Sequence, residues 1–250
     1  MQINFYLSLF LINSLRIEIV KKASLVRLFL LPFLPMKTIN LVEVFSSVQG
    51  ETSLTGQMTT FVRLARCNLR CSWCDTSYSF GKGTPCSLNE IIEKVKQNGC
   101  RYVCVTGGEP LLQPTVLDLI KELCDQDYCV SLETGGSLST EKVDSRARVI
   151  LDVKCPGSGM QDKNYWPNLL RLNAHDEVKF VIQHKEDFDF AVNVCKKYEL
   201  FNRSKEVLFS PVFNLLEPKQ LVEWILKDQL PCRLNLQCHK YIWAPDTKGV

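Results

Sequence analysis

The sequence predicts an α/β fold in which a mostly parallel sheet carries helices on its outer side. Short apolar runs bounded by turn residues alternate along the chain with stretches of helical periodicity. Alternation of this kind gives parallel strands joined by crossover helices. Composition agrees: 250 residues, 46% hydrophobic and 23% charged, exclude a disordered, collagenous or coiled-coil chain. A single α/β unit of this length buries most of its apolar surface.

Taken in order, the strand-like runs are 39–44, 60–64, 102–106, 129–132, 149–153, 178–182, 207–209 and 233–236. Ser87 and Glu90 have the spacing of a capping box, so a helix is expected from there to Asn98, with Gly99 ending it. Further helices are expected over 115–124, 187–198 and 218–227, the last with proline in its first turn. No linker or internal repeat divides this body. In such a sheet, chemistry belongs on the loops leaving the C-terminal strand ends.

The first 35 residues stand apart. They hold Arg16, Lys21, Lys22 and Arg27 against Glu18, so the whole net charge of +3 lies in them and the remainder is formally neutral. The uncharged run before Arg16 is too short to span a bilayer. No positive charge precedes it, as a secretory signal would require. Three readings are open: an organellar presequence, a membrane-surface helix, or a start codon assigned too early, with Met36 the true first residue. Residues 36–250 are expected to form one domain, and no chemistry is needed from the leader. A neutral body gives no electrostatic reason for a nucleic-acid partner.

The chain has 12 cysteines, none of them in the leader. Most lie in apolar runs and read as buried free thiols of a reducing, cytoplasmic compartment. Cys67, Cys71 and Cys74 differ. They follow the 60–64 run directly, with the spacing Cys-x3-Cys-x2-Cys and no equivalent fourth cysteine nearby. A closed structural zinc site takes four ligands, and so does a buried electron-transfer cluster. Three thiolates on a cubane iron–sulfur cluster instead leave one iron open to a ligand. Three thiols grouped by chance is the plain alternative, and the spacing and strand context weigh against it. A glycine-rich strand end, Gly107, Gly108, Glu109 and Pro110, follows on the next strand. Glycines allow close backbone approach to a ligand, and Glu109 suits a cationic ammonium.

The triplet, with an aromatic residue before its last cysteine, and the glycine-rich strand end together resemble the radical S-adenosylmethionine superfamily. The segment from Glu43 through Gln49, Gly50 and Glu51, the run TFVRL ending beside Arg63, and CNLRCSWCDT resemble the 7-carboxy-7-deazaguanine synthases of queuosine biosynthesis. LETGG at 132–136, LDVKCP at 151–156, VKFV at 178–181, FSPV at 209–212 and LQCHKYIW at 236–243 extend the resemblance over nearly all of 37–250.

The resemblance implies a modified, partly open (β/α) barrel. It implies conversion of 6-carboxy-5,6,7,8-tetrahydropterin to 7-carboxy-7-deazaguanine with loss of ammonia, a carbon–nitrogen lyase reaction. The cofactors it implies are a [4Fe-4S] cluster, S-adenosyl-L-methionine and Mg2+. The partners are the small pterin, a flavodoxin or ferredoxin as electron donor, and a second copy of the chain in a homodimer, with no nucleic acid and no membrane. Cys67, Cys71 and Cys74 would hold the cluster. Gly107, Gly108, Glu109, Ser131 and Glu133 would contact S-adenosylmethionine, with Glu133 suited to ribose hydroxyls and otherwise a surface glutamate. Gln49, Glu51, Arg63, His239 and the carboxylate of Val250 would meet the substrate, and Thr76 would offer its hydroxyl to Mg2+. Arg63 could grip a carboxylate bidentately, or else face solvent. Asp75 would position its loop, and Lys154 is open between cofactor and structure. His175 and His184 read as surface residues. The nine other cysteines read as structural thiols, with Cys155 and Cys238 as candidates for an auxiliary cluster. No catalytic side chain is implied beyond the cofactor-generated radical. Two other readings remain: another radical enzyme such as a glycyl-radical activase, or a non-enzymatic metal-binding or electron-transfer protein.

Overall fold

A computed structural model describes residues 37–204 and 206–250. The leader, with its three readings, lies outside the described residues. Strands β1 (Thr38–Val48), β2 (Met58–Leu64), β3 (Thr84–Ser87), β4 (Tyr102–Gly107), β5 (Cys129–Thr134), β6 (Arg148–Val153), β7 (Glu177–Ile182), β8 (Glu206–Pro211) and β9 (Arg233–Leu234) form one sheet. Its order is β3-β1-β2-β4-β5-β6-β7-β8-β9. From β2 to β9 every pairing is parallel, while β1 runs antiparallel to β2 and β3. The sheet is the partly open barrel of the expected α/β class, with β3 and β9 as its two edges.

Helices α1 (Leu88–Asn98), α2 (Val116–Asp125), α3 (Lys185–Tyr198) and α4 (Pro218–Lys227) match the sequence expectation within two residues at each end. Ser87 accepts the Glu90 backbone N–H, the Glu90 carboxylate accepts the Ser87 N–H, and Gly99 closes α1 in the left-handed region. Three strands depart from expectation. β1 runs four residues past its expected end, because its pairing with β2 continues to Val48 opposite Met58. β3 lacks an apolar alternation in its TPCS sequence; antiparallel pairing with β1, Thr38 opposite Ser87, is what makes it a strand. β9 ends at Leu234: the Asn235 N–H still donates to the Phe209 carbonyl at 2.9 Å, but its own carbonyl accepts the Ser210 hydroxyl at 2.7 Å and its side chain accepts the Thr52 N–H at 2.7 Å.

Strand alternation divides the side chains into two populations. On the outer face Val62, Leu64, Val103, Val105, Val130 and Leu132 bury against α1 and α2. Val149, Leu151, Val178, Phe180, Val207 and Phe209 do the same in a second cluster with α3 and α4. The alternate positions, among them Arg63, Thr106, Glu133, Asp152 and Lys179, face the interior of the barrel.

The loop 49–57 closes the N-terminal end of this interior. Ser53 donates its backbone N–H and its hydroxyl to the fully buried Glu177 at the start of β7. Arg148, at the start of β6, donates to the same carboxylate at 3.2 Å. Chemistry is thus left to the opposite end.

Phe209 meets Phe180 and Phe188 edge-on, at ring-centroid distances of 5.6 and 5.7 Å. Phe209→Ala should destabilise the protein by about 3–5 kcal/mol, read as a lowered urea midpoint.

Candidate active site

The loop leaving the C-terminal end of β2 carries Cys67, Cys71 and Cys74, and all three border a cavity of about 750 Å³. The end of β4 is stitched to the base of this loop: Gly108 donates to the Leu64 carbonyl at 3.1 Å and Glu109 to the Arg66 carbonyl at 2.9 Å. A Cβ on Gly107 would lie 2.2 Å from the Leu64 carbonyl oxygen, and one on Gly108 would lie 2.2 Å from that of Arg66. Gly107 also has φ of +146°, which side-chain-bearing residues avoid. The glycines therefore let two backbones meet, and both residues still border the cavity.

Gln49, Glu51, Arg63, His239 and Val250 line the same cavity, as do Thr76 and Glu133. Residues scattered from 49 to 250 in the chain are thereby brought together. Gln49 donates to Glu133 at 3.4 Å, and Thr106 donates to the other oxygen of that carboxylate at 3.1 Å. His239 reaches the wall because the C-terminal segment docks on the 49–57 loop, Cys238 donating to the Gly50 carbonyl at 2.9 Å. Burial lowers the pKa of the His239 imidazole and favours its neutral form.

Two of the residues expected at the cofactor, Glu109 and Ser131, are buried beside the cavity and do not line it. Glu109 is fully buried and is not on the cavity wall. Its carboxylate accepts the Leu111 N–H at 3.0 Å, the Thr134 hydroxyl at 2.9 Å and the Gly135 N–H at 2.8 Å. It props the ends of β4 and β5 through these bonds. Burial still raises its pKa, and those hydrogen bonds offset only part of the effect. Ser131 is buried on the inward side of β5, one inward position below Glu133, and is likewise off the wall.

A charge ladder that sequence reading did not single out crosses the interior. Lys179 donates to Glu51 at 2.7 Å and stands 3.7 Å from Asp152, and Lys154 is 3.0 Å from the same Asp152 oxygen. Burial pushes Glu51 up, but Lys179 and the Gln237 side chain outweigh it and hold the carboxylate below its ordinary range. Burial likewise opposes charge on Lys179, and Glu51 and Asp152 outweigh it, so the ammonium is held charged. Asp152 Oδ1 is buried and has no hydrogen-bond partner among the described residues. Asp75 does fix its loop, accepting from Gln237 at 3.1 Å and from Lys240 at 2.8 Å. The available signal for Lys179 was its inward parity on β7, between the outward Val178 and Phe180.

Comparison with known proteins adds to this geometry. The sequence model of the Radical SAM superfamily matches residues 62–156. The 7-carboxy-7-deazaguanine synthase of Chlorobaculum tepidum is 42% identical over 215 residues, covering 85% of this chain and 97% of that protein. That of Koribacter versatilis is also 42% identical, covering 84% and 99%.

The chain belongs to the 7-carboxy-7-deazaguanine synthase family.

It is accordingly a radical S-adenosylmethionine enzyme with lyase-type chemistry, of the queuosine-biosynthesis kind. A crystal structure of QueE from Escherichia coli shares the fold, with a TM-score of 0.66 at 22% identity, covering 81% of this chain and 94% of that one. Membership in the superfamily implies an iron–sulfur cluster, and the thiols fit one. Among the described residues no three His, Cys, Asp or Glu side chains converge on a single metal ion. Three ligands of a cubane do not need to, because each binds its own iron. Burial raises the Cys67 and Cys71 thiols, and Lys154 pulls both part of the way back. Iron would supply the remaining positive charge that ionises them. Cys155 is buried in the outer apolar cluster, and neither it nor Cys238 borders the cavity. His175 and His184 are half-exposed, as surface residues would be.

Lys179→Met should destabilise the fold by about 3–5 kcal/mol, since it leaves Glu51 buried without its partner, and adding Glu51→Gln should restore most of the loss. The sign of the pH dependence follows from the two shifts. The stabilisation from Glu51 is present above its unfolded pKa of about 4.3 and is lost as pH falls. That from Lys179 is present below about 10.4 and is lost as pH rises through the folded value. Wild type should therefore lose stability relative to the double variant toward the acid and alkaline extremes, and the urea midpoints of the two should differ most there.

Proposed function

We propose that this chain converts 6-carboxy-5,6,7,8-tetrahydropterin to 7-carboxy-7-deazaguanine and ammonia. The observation that carries this reading is the single cavity shared by the cysteine loop and by Gln49, Glu51, Arg63, His239 and Val250. It is supported by relatives named for that product, which match along almost their whole length.

In this reading Cys67, Cys71 and Cys74 hold the cluster, and Gly107, Gly108 and Glu133 border the S-adenosylmethionine. When bound, the cluster and S-adenosylmethionine supply one-electron chemistry that generates a carbon radical able to take hydrogen from the substrate. The chain's own residues do the rest. Arg63 binds the pterin carboxylate. Glu51, kept ionised by Lys179, accepts N–H groups of the pterin ring. Gln49 and His239 complete the ring's hydrogen bonding. The unpartnered Asp152 Oδ1 accepts from a donor on the bound cofactor, and Lys154 balances the thiolates. Thr76, whose hydroxyl is 3.8 Å from the Cys74 sulfur, offers that hydroxyl to Mg2+ at the substrate end. Residues 36–250 carry this activity as a cytoplasmic homodimer that takes electrons from a flavodoxin or ferredoxin. Among the described residues no helix is long and apolar enough to cross a membrane.

The direct test is anaerobic incubation of the reconstituted protein with carboxytetrahydropterin, S-adenosylmethionine, reductant and Mg2+. Appearance of the deazaguanine carboxylate supports the reading, and cofactor cleavage without that product overturns it. Cys71→Ala should abolish both cluster binding, seen by electron paramagnetic resonance, and turnover. Arg63→Ala should raise KM or lower turnover while leaving the cluster signal unchanged.

A further inference from the structure

Arg63 is held on one edge only. Its Nε donates to Glu43 Oε1 at 2.8 Å, and the same oxygen accepts the Tyr78 hydroxyl at 2.8 Å. The guanidinium carbon lies 5.6 Å from the Phe45 ring centroid and 5.8 Å from that of Tyr78. A guanidinium set against two aromatic faces and gripped through Nε loses its rotational freedom about the side-chain axis. No other hydrogen bond of Arg63 is made to the described residues, so its two Nη groups are left over. Arg63, Phe45 and Tyr78 line the cavity, whereas Glu43 does not. Glu43 is the cross-strand partner of Arg63 in the β1–β2 pair, so the grip lies beside the guanidinium and leaves its Nη groups to the cavity.

A free Nη1–Nη2 edge presents two parallel N–H donors, the geometry that a carboxylate matches bidentately. We infer that Glu43, assisted by Tyr78, is a positioning residue that fixes Arg63 so that its Nη edge receives the carboxylate of the substrate. The inference rests on the pterin carboxylate reading above. Glu43 itself touches no substrate; it acts through Arg63. Its charge also neutralises Arg63 when the cavity is empty, so the guanidinium does not have to stand uncompensated in a half-buried wall, where its side chain is 13% exposed. The C-terminal strap overlies the same grip, with the Lys248 ammonium 4.6 Å from the Tyr78 ring centroid.

The experiment uses the reconstituted holoenzyme as wild type, Glu43→Ala, Glu43→Gln and Tyr78→Phe. For each, steady-state kinetics with carboxytetrahydropterin are measured, with the cluster's paramagnetic signal and substrate-free cofactor cleavage as controls. Inhibition by tetrahydropterin, which lacks the carboxylate, is measured alongside. Glu43→Ala should raise KM about ten-fold, the value of one hydrogen bond to a charged group, with kcat within about two-fold. Glu43→Gln keeps an acceptor for Nε and should stay within about three-fold of wild type. Tyr78→Phe keeps the ring and should fall between the two. Inhibition by tetrahydropterin should be unchanged in all four proteins, which a merely structural loss would not allow. An unchanged KM in Glu43→Ala overturns the assignment, as does equal weakening of both ligands. If Glu43→Ala fails to fold, Glu43→Gln and Tyr78→Phe decide it on the same comparison. A loaded wild type that turns over no carboxytetrahydropterin instead overturns the substrate reading, and the assignment with it.

Discussion

A lysine pointing into the interior of a barrel must have its counter-charges built in beside it. An isolated ammonium in a low-dielectric interior costs several kcal/mol. Lys179 avoids that cost through Glu51 at 2.7 Å and Asp152 at 3.7 Å. Glu51 arrives on the loop 49–57, so the loop has to close the N-terminal end of the barrel for the pair to form. The C-terminal segment depends on the same carboxylate, because Gln237 donates to its other oxygen at 2.9 Å. One interior charge thereby ties together the sheet, the plug loop and the tail. Interior charges that come in pairs are in keeping with the formal neutrality of the body.

The cysteine loop is held by different means. Leu69 is buried within it, Ser72 donates to the Ser158 carbonyl at 3.1 Å and the Gly157 carbonyl at 2.8 Å, and the base of the loop is fixed by backbone bonds to the end of β4. Those bonds require Gly107 and Gly108, since a Cβ at either position would strike the opposing chain. Glu109 completes the arrangement from behind by joining the end of β5 to the end of β4. The glycine-rich motif is therefore first a joint between two strand ends. Its place on the cavity wall follows from where the joint lies.

Much of this was legible in the sequence, for identifiable reasons. The four helices carried a strong 3.6-residue period, α1 also a capping box and α4 a proline in its first turn, and their ends agree with expectation within two residues. The cysteine spacing and the strand end after it are local patterns, so they could be read without a fold. β3 was not legible, because its conformation is imposed by β1 and not by its own residues. The hydrogen bonds of Glu109 to Thr134 and Gly135 were not legible either, because those residues lie 25 and 26 positions away in the chain. Lys179 was visible only as an inward position, and its role needed Glu51, which lies far away in the chain.

The site also separates what must be rigid from what must meet a cofactor. Arg63, Thr106, Glu133, Asp152 and Lys179 are on strands whose outer faces are locked into apolar clusters, so their positions are fixed by the core. The cysteines and Thr76 are on a loop, where the backbone can shape itself around a cluster. Arg63 joins the two classes, because its strand runs directly into the cysteine loop. A carboxylate held at Arg63 is thus placed relative to the cluster ligands through one short length of backbone. Radical hydrogen transfer demands close and oriented approach of the reacting atoms. Under the proposed reading, a carboxylate bound at Arg63, on the strand that feeds the cysteine loop, would meet that demand with the fewest moving parts between them.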